Sequence, residues 1–184
     1  MQGGYNFIVD AVSNLVFGPY GWLQTIVFLV FGASILCLDI ALLGRLKIKN
    51  ITGPILLALV GIGFFLVGLN AAQAPGAPAT IYTQVHTISA AFVITLFPIT
   101  CFFMAPSFKA LGYVQLYKGT MGLGIFMLLF TVAGGFGLAL HGAMPGIYER
   151  ILLWSGQLWM MAICLQLFLD RNLRPAAQPL VIDN

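Results

Sequence analysis

Charge is what this sequence most lacks. Only 7% of its 184 residues are Asp, Glu, Lys or Arg, against about a quarter in soluble domains. Eight basic and five acidic side chains cannot coat a 19.9 kDa globule in water. With 60% hydrophobic residues and a mean hydropathy of +1.00, the solvent over most of the surface must be lipid. Cysteine is scarce too. Cys37, Cys101 and Cys164 form no C-x-x-C pair and are odd in number, which excludes a disulfide scaffold and leaves them as small apolar packing residues. The few basic residues sit at the ends of apolar runs, so nucleic acid is not a partner. No phosphate-cradling glycine loop, dinucleotide fingerprint or nucleophile elbow occurs. Acids are missing from the middle of every apolar run, which disfavours a proton pump.

What is present is long apolar runs. Crossing about 30 Å of hydrocarbon takes roughly 20 apolar residues in a helix, and five runs qualify, at about 21–43, 51–70, 83–104, 120–141 and 149–169. They are continuously apolar rather than alternating, so the expected fold is all-α, a polytopic transmembrane helix bundle, and not a barrel. Residues 1–170 then form a single membrane domain and 171–184 a cytoplasmic tail. Glycines inside the runs, among them Gly32, Gly61, Gly63, Gly68 and Gly134, let helix backbones approach closely in lipid. Pro98 is expected to kink the third span rather than end it.

Lys and Arg placement predicts the orientation. Arg45, Lys47, Lys49, Lys109, Lys118, Arg171 and Arg174 fall in three segments that alternate onto one side, leaving only Arg150 opposite. The basic side is read as cytoplasmic, with the N-terminus outside, the C-terminus cytoplasmic and the whole in the cell membrane. Tyr20, Trp22, Tyr82 and Tyr148 fit an outer aromatic belt, and Tyr113 and Tyr117 an inner one. Residues 1–20 are neither a signal peptide nor a span. Phe7, Ile8, Ala11, Val12 and Leu15 recur at helical spacing, as in a short interfacial helix on the outer surface.

This topology gathers Asp10, Ser13, His86, His141, Glu149 and Arg150 at the outer boundary. Ionisable residues near lipid usually face a bundle interior or a water-filled cavity, so these six are the candidate ligand-binding residues. The bland reading is that Glu149 opens a helix favourably, Arg150 reaches the headgroups and Asp10 or Ser13 caps a surface helix. Two histidines on neighbouring helices also suggest haem or zinc through His86 and His141. Their position at span ends and the lack of any short ligand spacing disfavour both, so no cofactor and no metal are expected. Asp39 lies apart, one turn from the inner end of the first span, where an ion pair with Arg45 or Lys109 is expected.

Asp10-Ala-Val-Ser13, Gly18-Pro-Tyr-Gly-Trp-Leu-Gln24, His86 at a span mouth, and Gly146-Ile-Tyr-Glu-Arg150 followed by Trp154 or Trp159 resemble a bacterial and archaeal membrane family, the domain-of-unknown-function family nine-nine-eight. The similarity covers about residues 5–170. It implies a six-helix membrane fold with no assigned reaction, of which this chain would lack the first span. On residues and resemblance together, the expected function is an outer-facing polar pocket binding a lipid-like or apolar small molecule. Any chemistry would be acid–base, with His86 or Glu149 carrying the proton, Asp10 orienting a His and Arg150 holding an anionic headgroup. A structural or accessory subunit, as a homo-oligomer or beside a partner membrane chain, is the alternative, and transport a weaker third.

Overall fold

The computed structural model describes residues 5–45, 50–70, 72–74, 76–141 and 145–173, and of these the side chains at 45, 135–141, 145 and 170–173 lie outside the described set. A 3-10 helix at Val12–Phe17 precedes five α-helices: α1 (Gly21–Arg45), α2 (Thr52–Leu69), α3 (Ile81–Ala110), α4 (Val114–His141) and α5 (Pro145–Leu173). All five are long and apolar enough to cross a membrane, and the described residues contain no strand. The chain is an all-helical, multi-pass membrane protein. Of the expected tail, 171–173 continue α5 and 174–184 lie outside the described residues.

All the helices except α2 outrun the spans read from hydropathy. α3 continues to Ala110 and α4 begins at Val114 rather than near residue 120. Hydropathy marks the part of a helix that sits in hydrocarbon, whereas the hydrogen-bond ladder carries on into the interface. Thr80 starts α3 with a reciprocal cap, its hydroxyl accepting the Thr83 N–H at 3.2 Å while the Thr83 hydroxyl accepts the Thr80 N–H at 2.8 Å. The helix runs through both Pro98 and Pro106, because neighbouring helices re-satisfy what proline frees inside a membrane. A turn ends it at Gly112, whose φ of +85° a residue with a side chain rarely adopts.

Successive helices pack side by side from α1 to α4, and α5 returns against α4 and lightly against α1 and the 3-10 helix. Close approach of α1 and α2 rests on two glycines. A Cβ on Gly32 would stand 2.8 Å from the Gly61 carbonyl oxygen, and one on Gly61 2.9 Å from the Leu36 side chain. Lipid tails are as apolar as leucine, so this contact is held by packing rather than by exclusion of water. The outward faces carry Trp22, Val30, Ile40, Leu129, Leu158 and Met161, all exposed. That is the surface of a helix whose solvent is hydrocarbon. Tyr20, Trp22 and Tyr82 are exposed as a belt requires, whereas Tyr148 is half-buried and stacks on Phe130 at 4.9 Å.

Packing is uneven along the bundle. Ile35, Leu42, Leu57, Val60, Met104, Phe108 and Ile163, all fully buried, cluster in the half that holds the α1–α2 and α3–α4 connections. Trp159 ties α5 to α4 there by donating its indole N–H to the buried Thr120 hydroxyl at 2.8 Å. Toward the other end the bundle opens into a cavity. Of the cysteines only Cys101 packs in the core, while Cys37 and Cys164 are exposed.

Asp39 is buried in the tight half, and its Oδ1 has no hydrogen-bond partner among the described residues. The expected ion pair with Lys109 is not formed, since the Lys109 ammonium lies over the Tyr117 ring at 5.2 Å, and the Arg45 side chain is outside the described set. An unsatisfied buried polar group costs about 1–3 kcal/mol. Asp39→Leu is therefore expected to raise the thermal unfolding midpoint of the detergent-solubilised protein. A lowered midpoint would mean that Asp39 has a partner essential to the fold.

Candidate functional site

The site is built on two helix ends and the segment that covers them. The first turn of any α-helix leaves N–H groups without acceptors, and the last turn leaves carbonyls without donors. At the start of α5 the N-terminal segment supplies the missing acceptors: Gly146 N–H donates to the Val9 carbonyl at 3.3 Å and Ile147 N–H to the Ile8 carbonyl at 3.1 Å. Arg150 fastens the same segment. Its Nη1 donates to the carbonyls of Phe7 at 2.9 Å, Asp10 at 3.3 Å and Gly146 at 2.8 Å. Its Nη2 meets the Tyr5 hydroxyl, and its guanidinium lies 4.0 Å from the Phe7 ring centroid and 5.7 Å from that of Tyr5. Glu149 completes the clasp, its Oε2 accepting the Val12 N–H at 2.7 Å.

At the end of α2 the orphaned carbonyls find His86 of α3. Its Nδ1 lies 3.0 Å from the Val67 carbonyl oxygen and 3.0 Å from that of Asn70. Both neighbours are acceptors, so Nδ1 carries the proton and Nε2 is the ring nitrogen left for the cavity. Asn70 itself is fixed, its Nδ2 donating to the Leu66 carbonyl at 2.7 Å.

Between these ends lies a cavity of about 80 Å³ bounded by α1, α2, α3 and α5, with Met127 of α4. Its polar end carries Ser13, His86 and Glu149, and the rest is apolar, with Phe28, Phe31, Phe64 and Phe97. These rings are braced: Phe31 meets Phe64 edge-on at 4.5 Å and Phe97 meets Trp159 edge-on at 5.4 Å. Ser13, Phe28, Val67 and His86 also border a second chamber of about 270 Å³ that reaches Gln24, Thr25 and Asn70. The 3-10 helix, which contains Ser13, roofs both.

Of the residues singled out from sequence, Ser13, His86 and Glu149 therefore meet at one cavity. Arg150 does not face it. That side chain is buried, turned to backbone carbonyls, and borders a separate cleft between α1 and α5. Asp10 does not orient His86: its Oδ2 accepts the Asn6 N–H at 2.6 Å, and two backbone carbonyls hold the His86 ring. The His141 side chain lies outside the described residues. The N-terminal segment is not a helix over 7–15 but a turn followed by the 3-10 helix, because the carbonyls of residues 7–10 bond to α5 and Arg150 instead of to their own chain.

A family described as a protein of unknown function, DUF998, matches residues 1–166. The chain belongs to this family. Every residue of the cavity falls inside the DUF998 match. No curated protein and no solved structure matches the chain.

Sequence reasoning about this DUF998 chain missed the roles of Val67 and Asn70, which act through their backbones and leave no mark in residue type. It also missed the aromatic lining, since phenylalanine on a span reads equally as lipid-facing. Among the described residues, no three or more of His, Cys, Asp and Glu cluster to hold a metal ion. Haem or zinc through His86 and His141 would use the free Nε2 of His86.

Proposed function

We propose that this DUF998 protein binds a lipid-like or apolar small molecule in the cavity under its N-terminal segment, from a pocket that faces outside the cell. One observation carries the reading: His86, held through Nδ1, stands with Ser13 and Glu149 at the polar end of a largely apolar cavity, and its Nε2 has no partner among the described residues. A polar atom that opens into such a cavity is met by a ligand or by water. The apolar walls accept a tail, while Ser13, His86 and Glu149 meet the head. The outward orientation is supported by the basic residues, which gather at the opposite end. On this reading the C-terminus is cytoplasmic and the membrane is the cell membrane.

Native mass spectrometry of the protein released from its own membranes tests this beside His86→Ala. A small molecule retained by the parent protein and lost from the variant, at unchanged thermal midpoint, is the expected result. Identical bare spectra from both would count against the pocket.

The alternative, an accessory subunit of a membrane complex, draws on α4. A Cβ on Gly119 or Gly122 would meet nothing within 4 Å, so that face can receive another helix closely. The glycines of α2, in contrast, are already engaged inside the bundle: Gly61 against Leu36, Gly63 against Val93 and Gly68 against Leu29.

A further inference from the structure

From the polar atoms at the mouth of the cavity we infer that it selects a lipophilic amine, an ammonium head on an apolar tail, and discriminates against carboxylate and phosphate heads. This rests on the cavity being the binding site and specifies what that site takes. Three side chains meet the head. Glu149 has Oε2 committed to the Val12 N–H, and Oε1 has no partner among the described residues. His86 has Nδ1 committed to two carbonyls and turns Nε2 to the cavity, an acceptor whenever the ring is neutral. Ser13 contributes a hydroxyl, which both donates and accepts. Acceptors thus outnumber donors, and one acceptor is a carboxylate.

The cation that could have reversed this preference is turned away. Arg150 follows Glu149 in sequence, yet its Nη1 is taken by three backbone carbonyls and it does not line the cavity. Among the described residues no Lys or Arg lines the cavity. An anionic head would therefore meet the Glu149 carboxylate at the same end of the cavity. An ammonium has donors and no acceptor, so it can bond to both Glu149 Oε1 and His86 Nε2 while its charge is neutralised in a low-dielectric site. The rings of Phe28, Phe31 and Phe64 form the apolar wall for the tail.

The test is a titration of the full chain in nanodiscs with octylamine, octanol and octanoate, which share one tail. Binding is followed by the shift in thermal midpoint, which reports affinity for the folded state. Octylamine is expected to bind at least tenfold more tightly than octanoate, with octanol between them, and Glu149→Gln is expected to remove most of that advantage. Ala90→Phe, or Ile94→Phe should the first fail to fold, fills the cavity and is expected to abolish the response to all three. Octanoate binding as tightly as octylamine, with both blocked by the filled cavity, would overturn the head-group inference and leave the cavity standing. Octanol ahead of octylamine would likewise overturn it in favour of a hydroxyl head. An octylamine response that survives both cavity-filling substitutions would overturn the site itself.

Discussion

Arg150→Met is expected to release the N-terminal segment from the bundle. The substitution keeps an apolar stem of similar length but removes every donor. It would leave the Phe7, Asp10 and Gly146 carbonyls without the Nη1 hydrogen bonds seen at 2.8–3.3 Å. Hydrogen bonds to a charged group contribute about 1.5–3 kcal/mol each, and these share one nitrogen, so the combined loss is on the order of 3 kcal/mol. It would fall on the segment before it fell on the helices. Amide hydrogen exchange should therefore rise first at Val12, Gly146 and Ile147, the three N–H groups whose bonds hold the segment to α5. Arg150→Lys should recover only part of the protection, because a point-like ammonium cannot reach both the carbonyl cluster and the Tyr5 hydroxyl as a planar fork does. Exchange at those amides equal to the parent's would show that Arg150 is not the clasp. Since Ser13 roofs the cavity from this segment, the same variant should also release any retained ligand faster.

Gly32→Val strikes the other half of the design, the α1–α2 contact. A Cβ there would lie 2.8 Å from the Gly61 carbonyl oxygen, 3.1 Å from Phe65 and 3.3 Å from Phe64. The nearest obstacle is backbone inside a helix, which cannot rotate out of the way as a side chain can. Two further methyl groups make the helices separate. Overpacking costs about 1–3 kcal/mol and sometimes more, and a contact limited by backbone belongs at the upper end, about 3 kcal/mol. Phe28, Phe31, Phe64 and Val67 stand on these two helices and line the cavity, so its walls should move apart as well. The expected result is a lower thermal midpoint together with weaker binding of whatever the cavity holds. Gly119→Val, on a face with nothing within 4 Å, is the control and should leave the midpoint of the isolated protein unchanged. Equal midpoints for Gly32→Val and the parent would refute the close crossing.

Much of the candidate site was legible because lipid makes polar residues conspicuous. Against 60% hydrophobic residues, Ser13, His86 and Glu149 stood out at one boundary, and the structure brings them to one cavity. Asp10 and Arg150 stood out for the same reason, and in the structure both bond to residues of the N-terminal segment and neither lines that cavity. Residue type announces that a side chain needs partners. It does not announce which ones, because the partners of Arg150 and His86 are carbonyl groups that every residue carries. Asp39 makes the converse point. Of its two expected partners, Lys109 turns to the Tyr117 ring, and the Arg45 side chain lies outside the described residues.

The sequence by itself determined the solvent, the secondary structure and the number of membrane-crossing helices. Each of these follows from sums of side-chain transfer free energies over some twenty consecutive residues, which need no knowledge of neighbours. Family membership also lay in the sequence. Only the tertiary structure decided which glycines touch, that the bundle is tight at one end and hollow at the other, and which polar atoms stay open inside the hollow. Those depend on where backbone N–H and C=O groups of distant segments come to rest, and hydrogen bonds satisfied or left open at that scale are set by geometry and not by composition.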